Sequence, residues 1–263
     1  MTLAFYGKHS DRWMATLHPS LLGDLKPKVR AIQNIFTIRK SLESFDYVLP
    51  LMEVHILELH RRGIRAMIPD VETVRICMCK RRFSQYVLAN NLTQYAPKTY
   101  TDEELDGSLR IVKPYSRNSG SGMRITRDVS KHEYKTHVVQ EYLPNRDEFC
   151  AFIVANKGRI VYCSVIQSTF SDSVHIKKAV SAEDVANNRI VLLDPKHIDI
   201  LEMFLLPCSY TGVCNIDFLI HKDVVKVLEI NPRLGGSLMY PKYRQILVDT
   251  LFALMDIFGG GSV

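Results

Sequence analysis

The chain has 263 residues, of which 46% are hydrophobic, and it carries a formal net charge of +6. This length suffices for one large folded unit or two coupled ones, and no apolar run reaches the roughly 18 residues that predict a membrane span. The basic residues are spread along the chain, and the densest cluster, Lys80-Arg81-Arg82, is shorter than a nucleic-acid groove usually requires. A modest positive charge equally suits a small anionic ligand with phosphates. The six cysteines lie in apolar runs and the N-terminus lacks a signal-peptide pattern, so we expect a cytoplasmic protein with reduced thiols.

The N-terminal part of the chain alternates between strand-like and helix-like patterns of apolar residues. Strands are predicted at 3–6, 46–52 and 64–70, and helices at 28–44 and 53–63. This alternation predicts a small parallel α/β unit. The first predicted strand is not followed by a GxGxxG pattern, which argues against a dinucleotide site.

The rest of the chain is predicted to mix helices with antiparallel strands. Helices are predicted at 71–90, 101–105, 197–209 and 243–258, and single strands at 108–115 and 123–126. Two hairpins are predicted, one turning at Asn156-Lys157-Gly158 and the other at His221-Lys222-Asp223. A run of three glycines, 259–261, ends the last helix.

Two carboxylates and one amide lie on facing strands of the second predicted hairpin. Glu229 and Asn231 are two residues apart and therefore point to the same face of their strand. Counting from the turn places Asp217 opposite residue 228, one step from Glu229, so that modest twist or a bulge would bring the three side chains together. Three such oxygen ligands suit a hard cation such as Mg²⁺. The alternative is a solvent-facing amphipathic strand, which the apolar neighbours of Glu229 disfavour.

Two further segments carry residues suited to nucleotide binding. Lys113 ends an apolar strand, and the loop 116–122 that follows is rich in serine and glycine, so its backbone N–H groups could wrap phosphate oxygens. A surface hairpin with no ligand has the same composition. The segment 140–143 ends another apolar strand and could present backbone groups to a base and ribose, or could be an ordinary strand exit.

Together and in this order, these segments resemble the ATP-grasp superfamily, in particular enzymes of the carbamoyl-phosphate-synthase large-chain type and the carboxylate–amine ligases. The resemblance covers roughly residues 71–240 and is carried by GVCNIDFLI…VVKVLEINPRLGGS, RIVKPYSRNSGSGMRI and VVQEYLPNRDEF. It implies an α/β (α+β) fold in which two subdomains clasp the nucleotide. We therefore expect a small N-terminal α/β domain at 1–70 and an ATP-grasp domain at 71–263, divided into a lid-bearing part (71–139) and a metal-binding part (140–263).

The resemblance also implies roles for individual residues. Asp217, Glu229 and Asn231 are the implied ligands of Mg²⁺, with Mn²⁺ as a substitute. Arg233 and Lys113 are the implied catalytic residues, acting near the γ-phosphate and the acyl phosphate. The implied ATP-binding residues are Lys80, Lys113, Ser119, Gly120, Ser121, Gly122, Gln140, Glu141, Tyr142, Leu143, Glu148 and Lys178. An exposed loop is the alternative for His175, Lys177 and Lys178.

The activity implied by the resemblance is ATP- and Mg²⁺-dependent ligation, in which a small carboxylate becomes an acyl phosphate and is joined to an amine. Two alternatives stay open: an ATP-binding partner or regulatory module with weakened catalysis, and a small-molecule kinase of the same fold. The expected partners are the small-molecule carboxylate and amine substrates, with no nucleic acid and no membrane, and a homodimer is left open.

Overall fold

The computed structural model describes residues 2–18, 21, 31–35, 40–101, 107–115, 122–176 and 187–259. In these ranges the strands are β1 (Thr2–Tyr6), β2 (Ala31–Ile35), β3 (Tyr47–Pro50), β4 (Arg110–Pro114), β5 (Arg124–Thr126), β6 (His137–Glu141), β7 (Asp147–Asn156), β8 (Arg159–Thr169), β9 (Asn188–Val191), β10 (Gly212–His221) and β11 (Val224–Asn231). The α-helices are α1 (Asp11–Thr16), α2 (Glu53–Arg61), α3 (Val71–Met78), α4 (Lys80–Ala89), α5 (Glu133–Thr136), α6 (Pro195–Met203) and α7 (Arg244–Gly259). The predicted mixed α/β class is confirmed.

The N-terminal sheet is parallel, as predicted, and has the strand order β2-β1-β3. The helix predicted at 28–44 is wrong, because 31–35 is a strand paired in parallel with β1 and a 3₁₀ helix follows at Lys40–Ser44. Isoleucines three residues apart fit a helix face as well as a short strand, and the edge of β1 supplies the backbone partners that favour the strand. The rest of that segment, 28–30 and 36–39, lies outside the described residues.

Two other predictions in the first ninety residues need correction. Residues 64–70 form no strand but pass beside β3 with one backbone hydrogen bond, from Met67 N to Val48 O at 2.9 Å. The helix predicted at 71–90 is two helices, α3 and α4, separated at Cys79, whose backbone is extended. Lys80 N donates to Tyr115 O at 3.0 Å across this break, so a tertiary hydrogen bond replaces a helical one and places Lys80 at the start of α4.

The largest sheet is antiparallel, with the strand order β11-β10-β7-β8-β9. Both predicted hairpins are confirmed. Each closes over two residues, Lys157-Gly158 and Lys222-Asp223, and all four of these residues have φ between 50° and 84°. Such left-handed pairs form the tight turns whose twist matches that of the flanking strands.

The third sheet is smaller, with the order β5-β4-β6, and it contains both single strands predicted at 108–115 and 123–126. The helices predicted at 197–209 and 243–258 correspond to α6 and α7, the former ending earlier than predicted. Most of the helix predicted at 101–105 lies outside the described residues. Within the described ranges no helix combines the length and apolarity that crossing a bilayer requires.

A continuous apolar core joins the N-terminal sheet to the largest sheet. Phe5 on β1, Trp13 on α1, Phe152 on β7 and Leu251 on α7 belong to one buried cluster, and each is at most 2% exposed. Burying one such side chain stabilises the fold by roughly 1.5–3 kcal/mol. The N-terminal unit is therefore held against the rest of the chain by apolar packing, while the division at residues 70 and 139 stays a prediction.

Candidate active site

A cleft of about 430 Å³ opens where the three sheets approach one another, and α1 forms one of its walls. Nine of the sequence-predicted site residues line it: Lys113, Glu141, Tyr142, Leu143, Glu148, Asp217, Glu229, Asn231 and Arg233. Lys80 and Gln140 line a small adjoining pocket that shares Lys113 and Glu229 with the cleft. Gly122 lines neither, and Ser119, Gly120, Ser121 and Lys178 lie outside the described residues.

A β-bulge brings the predicted metal ligands together. The pairing of β10 with β11 shifts by one residue between Asp217 and Phe218, so Asp217 lies directly opposite Glu229. Asn231 Nδ2 donates to Asp217 Oδ2 at 3.2 Å and to Glu229 Oε1 at 3.5 Å. Two carboxylates and an amide thus converge on one side of the hairpin, as the bulge considered from the sequence requires.

This set of side chains fits a hard cation that also binds phosphate oxygens. Mg²⁺ prefers oxygen ligands and usually takes only one or two carboxylates from the protein, with water and phosphate completing its octahedron. No group of three or more His, Cys, Asp or Glu side chains in the described ranges is placed to hold a metal ion. A divalent cation here would therefore need the amide oxygen of Asn231 and oxygens from outside the protein.

Two lysines flank the carboxylates. Lys80 Nζ lies 3.9 Å from Glu229 Oε2. Lys113 is only 7% exposed, and burial lowers its pKa to about 8 despite the opposing effect of Glu229, while Lys80 adds to the lowering. A buried ammonium is unfavourable unless an anion compensates it, so this end of the cleft suits a polyanionic ligand.

The predicted adenine hinge follows β6, but most of its polar groups already have partners in the protein. Glu141 N donates to Lys98 O at 2.8 Å, and Tyr142 N donates to Leu109 O at 3.1 Å. The Tyr142 hydroxyl accepts from His175 N at 2.8 Å, so this side chain holds the segment before residue 176. Leu143 and the Glu141 side chain still face the cleft.

Glu148, the predicted ribose ligand, is paired with a histidine. His175 Nε2 lies 3.0 Å from Glu148 Oε1, and the histidine ring stacks on Phe170 with 3.9 Å between ring centroids. The hydrogen bond to Glu148 raises the pKa of His175, although burial opposes this effect. The exposed-loop alternative around residue 175 is therefore wrong for His175 itself, which lines the cleft.

Arg233 connects the end of β11 to the N-terminal unit. Its Nε donates to Glu53 Oε1 at 2.8 Å, and Glu53, the first residue of α2, is 7% exposed. Sequence reasoning missed Glu53 because an acid in the first turn of a helix is ordinarily explained by the helix dipole. The pair brings a buried acid from the N-terminal unit into the cleft's hydrogen-bond network.

Four further residues of the cleft were also missed. His9, Arg12, Asn215 and Tyr240 line it, and among the described residues Asn215 Oδ1 is buried without a hydrogen-bond partner. The useful signal for Asn215 was its position two residues before Asp217 on the same face of β10. No pattern in the sequence marked the other three, because their neighbourhood is created by packing α1 against the segment after β11.

A family model of the ATP-grasp domain matches residues 80–237, which is more than half of the chain. The chain belongs to the ATP-grasp family. The match spans Lys80, Lys113, the predicted hinge, the three predicted metal ligands and Arg233. The ATP-grasp fold predicted from the sequence is confirmed.

Solved structures of the same fold align over nearly the whole chain. D-alanine–D-alanine ligase from Bacillus anthracis is 16% identical with a TM-score of 0.66, covering 99% of this chain and 98% of its own. Biotin carboxylase from Campylobacter jejuni is 12% identical with a TM-score of 0.67, covering 100% and 72%. L-amino acid ligase from Bacillus licheniformis is 13% identical with a TM-score of 0.61, covering 98% and 74%. At these identities the likeness shows the fold, and a comparison with curated protein sequences finds no match.

Proposed function

We propose that this ATP-grasp protein is an ATP-dependent ligase that activates a carboxylate as an acyl phosphate and joins it to an amine. The observation that carries the proposal is the convergence of the carboxylate–amide trio with Lys80 and Lys113 in one cleft. The names of the solved relatives support it, because two of them are ligases of amino acids and one D-alanine–D-alanine ligase structure contains ATP.

The proposed reaction has two steps. In the first, a carboxylate oxygen attacks the γ-phosphorus of ATP, the bond to the bridging oxygen breaks, and ADP leaves. In the second, an amine attacks the carbonyl carbon of the acyl phosphate, phosphate leaves with the electrons of the C–O bond, and the nitrogen loses a proton. Both steps concentrate negative charge, so fixed positive charge in a cleft shielded from water favours them.

Each polar group of the cleft has a proposed part in this reaction. Lys80 and Lys113 offset the charge of the triphosphate. Arg233, held by Glu53, acts on the transferred phosphoryl group and on the acyl phosphate. Asp217, Glu229 and Asn231 would hold Mg²⁺, or Mn²⁺ in its place, and a cation there would neutralise phosphate oxygens. Three points stay predictions: the cytoplasmic location, the small-molecule carboxylate and amine substrates, and the homodimer.

Trapping with hydroxylamine tests the proposal. The protein is incubated with ATP, Mg²⁺, hydroxylamine and a panel of amino acids and small carboxylates, and hydroxamate and ADP are measured together. We expect equal amounts of both with a subset of the panel, because hydroxylamine captures acyl phosphates. Glu229→Gln should abolish the signal, and Glu72→Gln, on the exposed face of α3, should leave it unchanged.

The other outcomes identify the alternatives. ADP accompanied by a stable phosphorylated product, without hydroxamate, would identify a small-molecule kinase. ATP binding without turnover of any panel member would favour a regulatory module. Either result contradicts the ligase proposal.

A further inference from the structure

The wall of the cleft formed by α1 carries a cation placed on an aromatic ring. Arg12 Cζ lies 4.2 Å from the centroid of the Tyr240 ring. Beside it, the His9 ring stacks on Trp13 with 3.8 Å between centroids and 18° between planes. All four residues line the same cleft as Glu229 and Arg233. They belong to α1, to the residues just before it and to the segment following β11, not to the elements that carry the lysines.

Packing holds this arrangement in place. The hydroxyl of Thr16, at the end of α1, donates to Met239 O at 3.1 Å, next to Tyr240 in sequence. Trp13 is 2% exposed and belongs to the same buried cluster as Met239. A Cβ on Gly236 would meet Trp13 at 3.9 Å, so backbone and indole approach closely there. Arg12 and Tyr240 are therefore positioned relative to each other by a buried core and by a hydrogen bond.

The Arg12 side chain is exposed with its Cζ over the Tyr240 ring, so its N–H groups are accessible to a ligand. The π-face of a tyrosine attracts the face of a guanidinium by a cation–π interaction. The N–H groups of the guanidinium lie in its own plane and can still donate hydrogen bonds outward. Among the described residues, Arg12 forms no ion pair. A planar carboxylate is the partner that matches this edge with two parallel hydrogen bonds.

The positive charges around Arg12 also favour binding of an anion. His9 lies close to two arginines: burial lowers its pKa, and the positive charges of Arg233 and Arg12 add to the effect. Glu53, whose negative charge opposes these effects on His9, is already paired with Arg233. In the proposed reaction the triphosphate lies along Lys80 and Lys113, which sit beside Glu229 and belong to other elements than Arg12.

We propose that Arg12, stacked on Tyr240, binds a substrate carboxylate that the reaction does not activate. This rests on the ligase function proposed above and narrows its substrate class, because one substrate must then carry an additional carboxylate. Either the amine substrate is an amino acid, or the activated substrate is a dicarboxylate. In both cases the bound carboxylate stays ionic and its bonds do not change.

Matched acids and amides test the inference. Glycine and alanine are compared with glycinamide and alaninamide as amines, in the presence of a carboxylate that gives hydroxamate in the panel above. Succinate is compared with its half-amide as the activated acid, with hydroxylamine as the amine, and both arms are followed by ADP release with ATP and Mg²⁺. We expect one arm to show a KM at least about tenfold lower for the acid than for the amide. Arg12→Ala should raise the KM of that acid by roughly 10- to 100-fold and leave the KM of the amide unchanged.

Further variants separate binding from folding. Arg12→Lys should restore part of the affinity, since it keeps the charge but loses the planar edge. Tyr240→Leu should raise the KM of the acid less than Arg12→Ala does. Arg62→Ala is the matched control, because this arginine lies in the same N-terminal unit, half exposed and outside the cleft, and all constants should stay unchanged.

The outcomes distinguish this inference from the function on which it rests. Equal KM values for acid and amide, or an Arg12→Ala variant that loses acid and amide equally, would overturn the role of Arg12 while leaving the ligase intact. If no acid or amide in either arm stimulates ADP release, and the hydroxylamine panel also gives none, the ligase function fails and the inference fails with it. Preference in the amine arm identifies an amino acid, and preference in the succinate arm identifies a dicarboxylate.

Discussion

Glu229 is the residue at which the proposed metal-binding and phosphate-binding parts of the cleft meet. It lies opposite Asp217, accepts from Asn231 Nδ2 at 3.5 Å, and is 3.9 Å from Lys80 Nζ. Without a ligand its charge compensates a lysine, and with a bound cation and triphosphate it would face the metal instead. Arg233 differs in having a partner inside the protein, Glu53, that no metal would displace.

This difference predicts opposite effects for two substitutions. Glu229→Gln keeps the shape of the side chain but removes the negative charge, so Mn²⁺–ATP should bind at least about tenfold more weakly and turnover should fall about 100-fold or more. Arg233→Ala should bind Mn²⁺–ATP normally and lower kcat by about 100-fold, since its charge matters where negative charge develops. Electron paramagnetic resonance of Mn²⁺ with ATP present, combined with steady-state rates, separates the two.

The control is Glu72→Gln, which changes an exposed acid of α3 and should alter neither quantity. If Glu229→Gln binds Mn²⁺–ATP as tightly as the parent while Arg233→Ala does not, the roles of these two residues are reversed. Thermal unfolding of each variant should show that the fold is kept.

The His175–Glu148 pair predicts a pH-dependent contribution to stability. The hydrogen bond to Glu148 raises the folded-state pKa of His175 above its unfolded value of about 6.5. The pair's contribution to the free energy of unfolding is therefore fully present below about pH 6.5. It is lost as the pH rises through the pKa of His175 in the folded state. The free energy of unfolding of the parent should exceed that of His175→Gln most at low pH, and this difference should shrink as the pH rises above about 6.5. Denaturant unfolding at a series of pH values measures it.

A difference between parent and His175→Gln that stays constant across this pH range would show that His175 does not titrate with Glu148. His132→Gln serves as the control, since His132 is exposed and its ring has no acid partner among the described residues. It should leave the pH profile unchanged.

Among the elements, those set by local signals were predictable and those set by tertiary contacts were not. The two hairpins follow from turn residues that tolerate positive φ, and the approach of Asp217 to Glu229 could be bounded to one residue by counting from the turn. The break at Cys79 could not be predicted, because it depends on a hydrogen bond from Lys80 to Tyr115, 35 residues later. Strand β2 was likewise decided by the neighbouring edge of β1.

The residues of the site also fall into those that local signals predicted and those that only tertiary packing determines. Residues on strands with a readable period, such as Glu229 and Asn231, were found from spacing and family resemblance. His9 and Arg12, which line the cleft, and Glu53, which contacts Arg233, were not, because packing of the N-terminal unit rather than a motif brings them there. His175 was left open because its segment has no regular period.

The segment after β11 gives a prediction about two adjacent glycines. A Cβ on Gly235 would overlap the ring of Phe152, which is 1% exposed, and would come within 3.4 Å of Asn215. A Cβ on Gly236 would meet only Trp13, at an ordinary 3.9 Å. Gly235→Ala should therefore destabilise the protein by about 1–3 kcal/mol, since a buried ring must move, and Gly236→Ala by well under about 1 kcal/mol. Urea unfolding of both variants checks this.

Neither glycine has a positive φ, so backbone strain contributes to neither substitution. Equal losses of stability in the two variants would show that steric overlap with Phe152 is not what requires glycine at 235. Gly235→Ala should also weaken substrate binding, because the displaced ring forms part of the cleft wall.

At the scale of the whole molecule, the cleft depends on the N-terminal unit remaining docked. The Arg233–Glu53 pair and the Thr16–Met239 hydrogen bond both cross between that unit and the rest of the chain. The same junction is filled by one buried cluster, in which Phe5 of the N-terminal sheet and Leu251 of α7 both take part. A contact surface made of core residues couples the folding of the two parts more strongly than a polar interface would.

We therefore expect a single cooperative unfolding transition in calorimetry, with a calorimetric enthalpy equal to the van't Hoff enthalpy. Leu251→Ala leaves a cavity at the junction and should lower the free energy of unfolding by about 2–5 kcal/mol while keeping one transition. Leu88→Ala is the matched control, because Leu88 is 69% exposed on α4 and should change stability by less than about 0.5 kcal/mol. Two separate transitions in the parent, or a Leu251→Ala effect confined to one of them, would mean that the N-terminal unit unfolds independently. In that case His9 and Arg12 would leave the cleft, and Glu53 would leave Arg233, before the ATP-grasp part of the molecule melts, and activity would be lost at the lower transition.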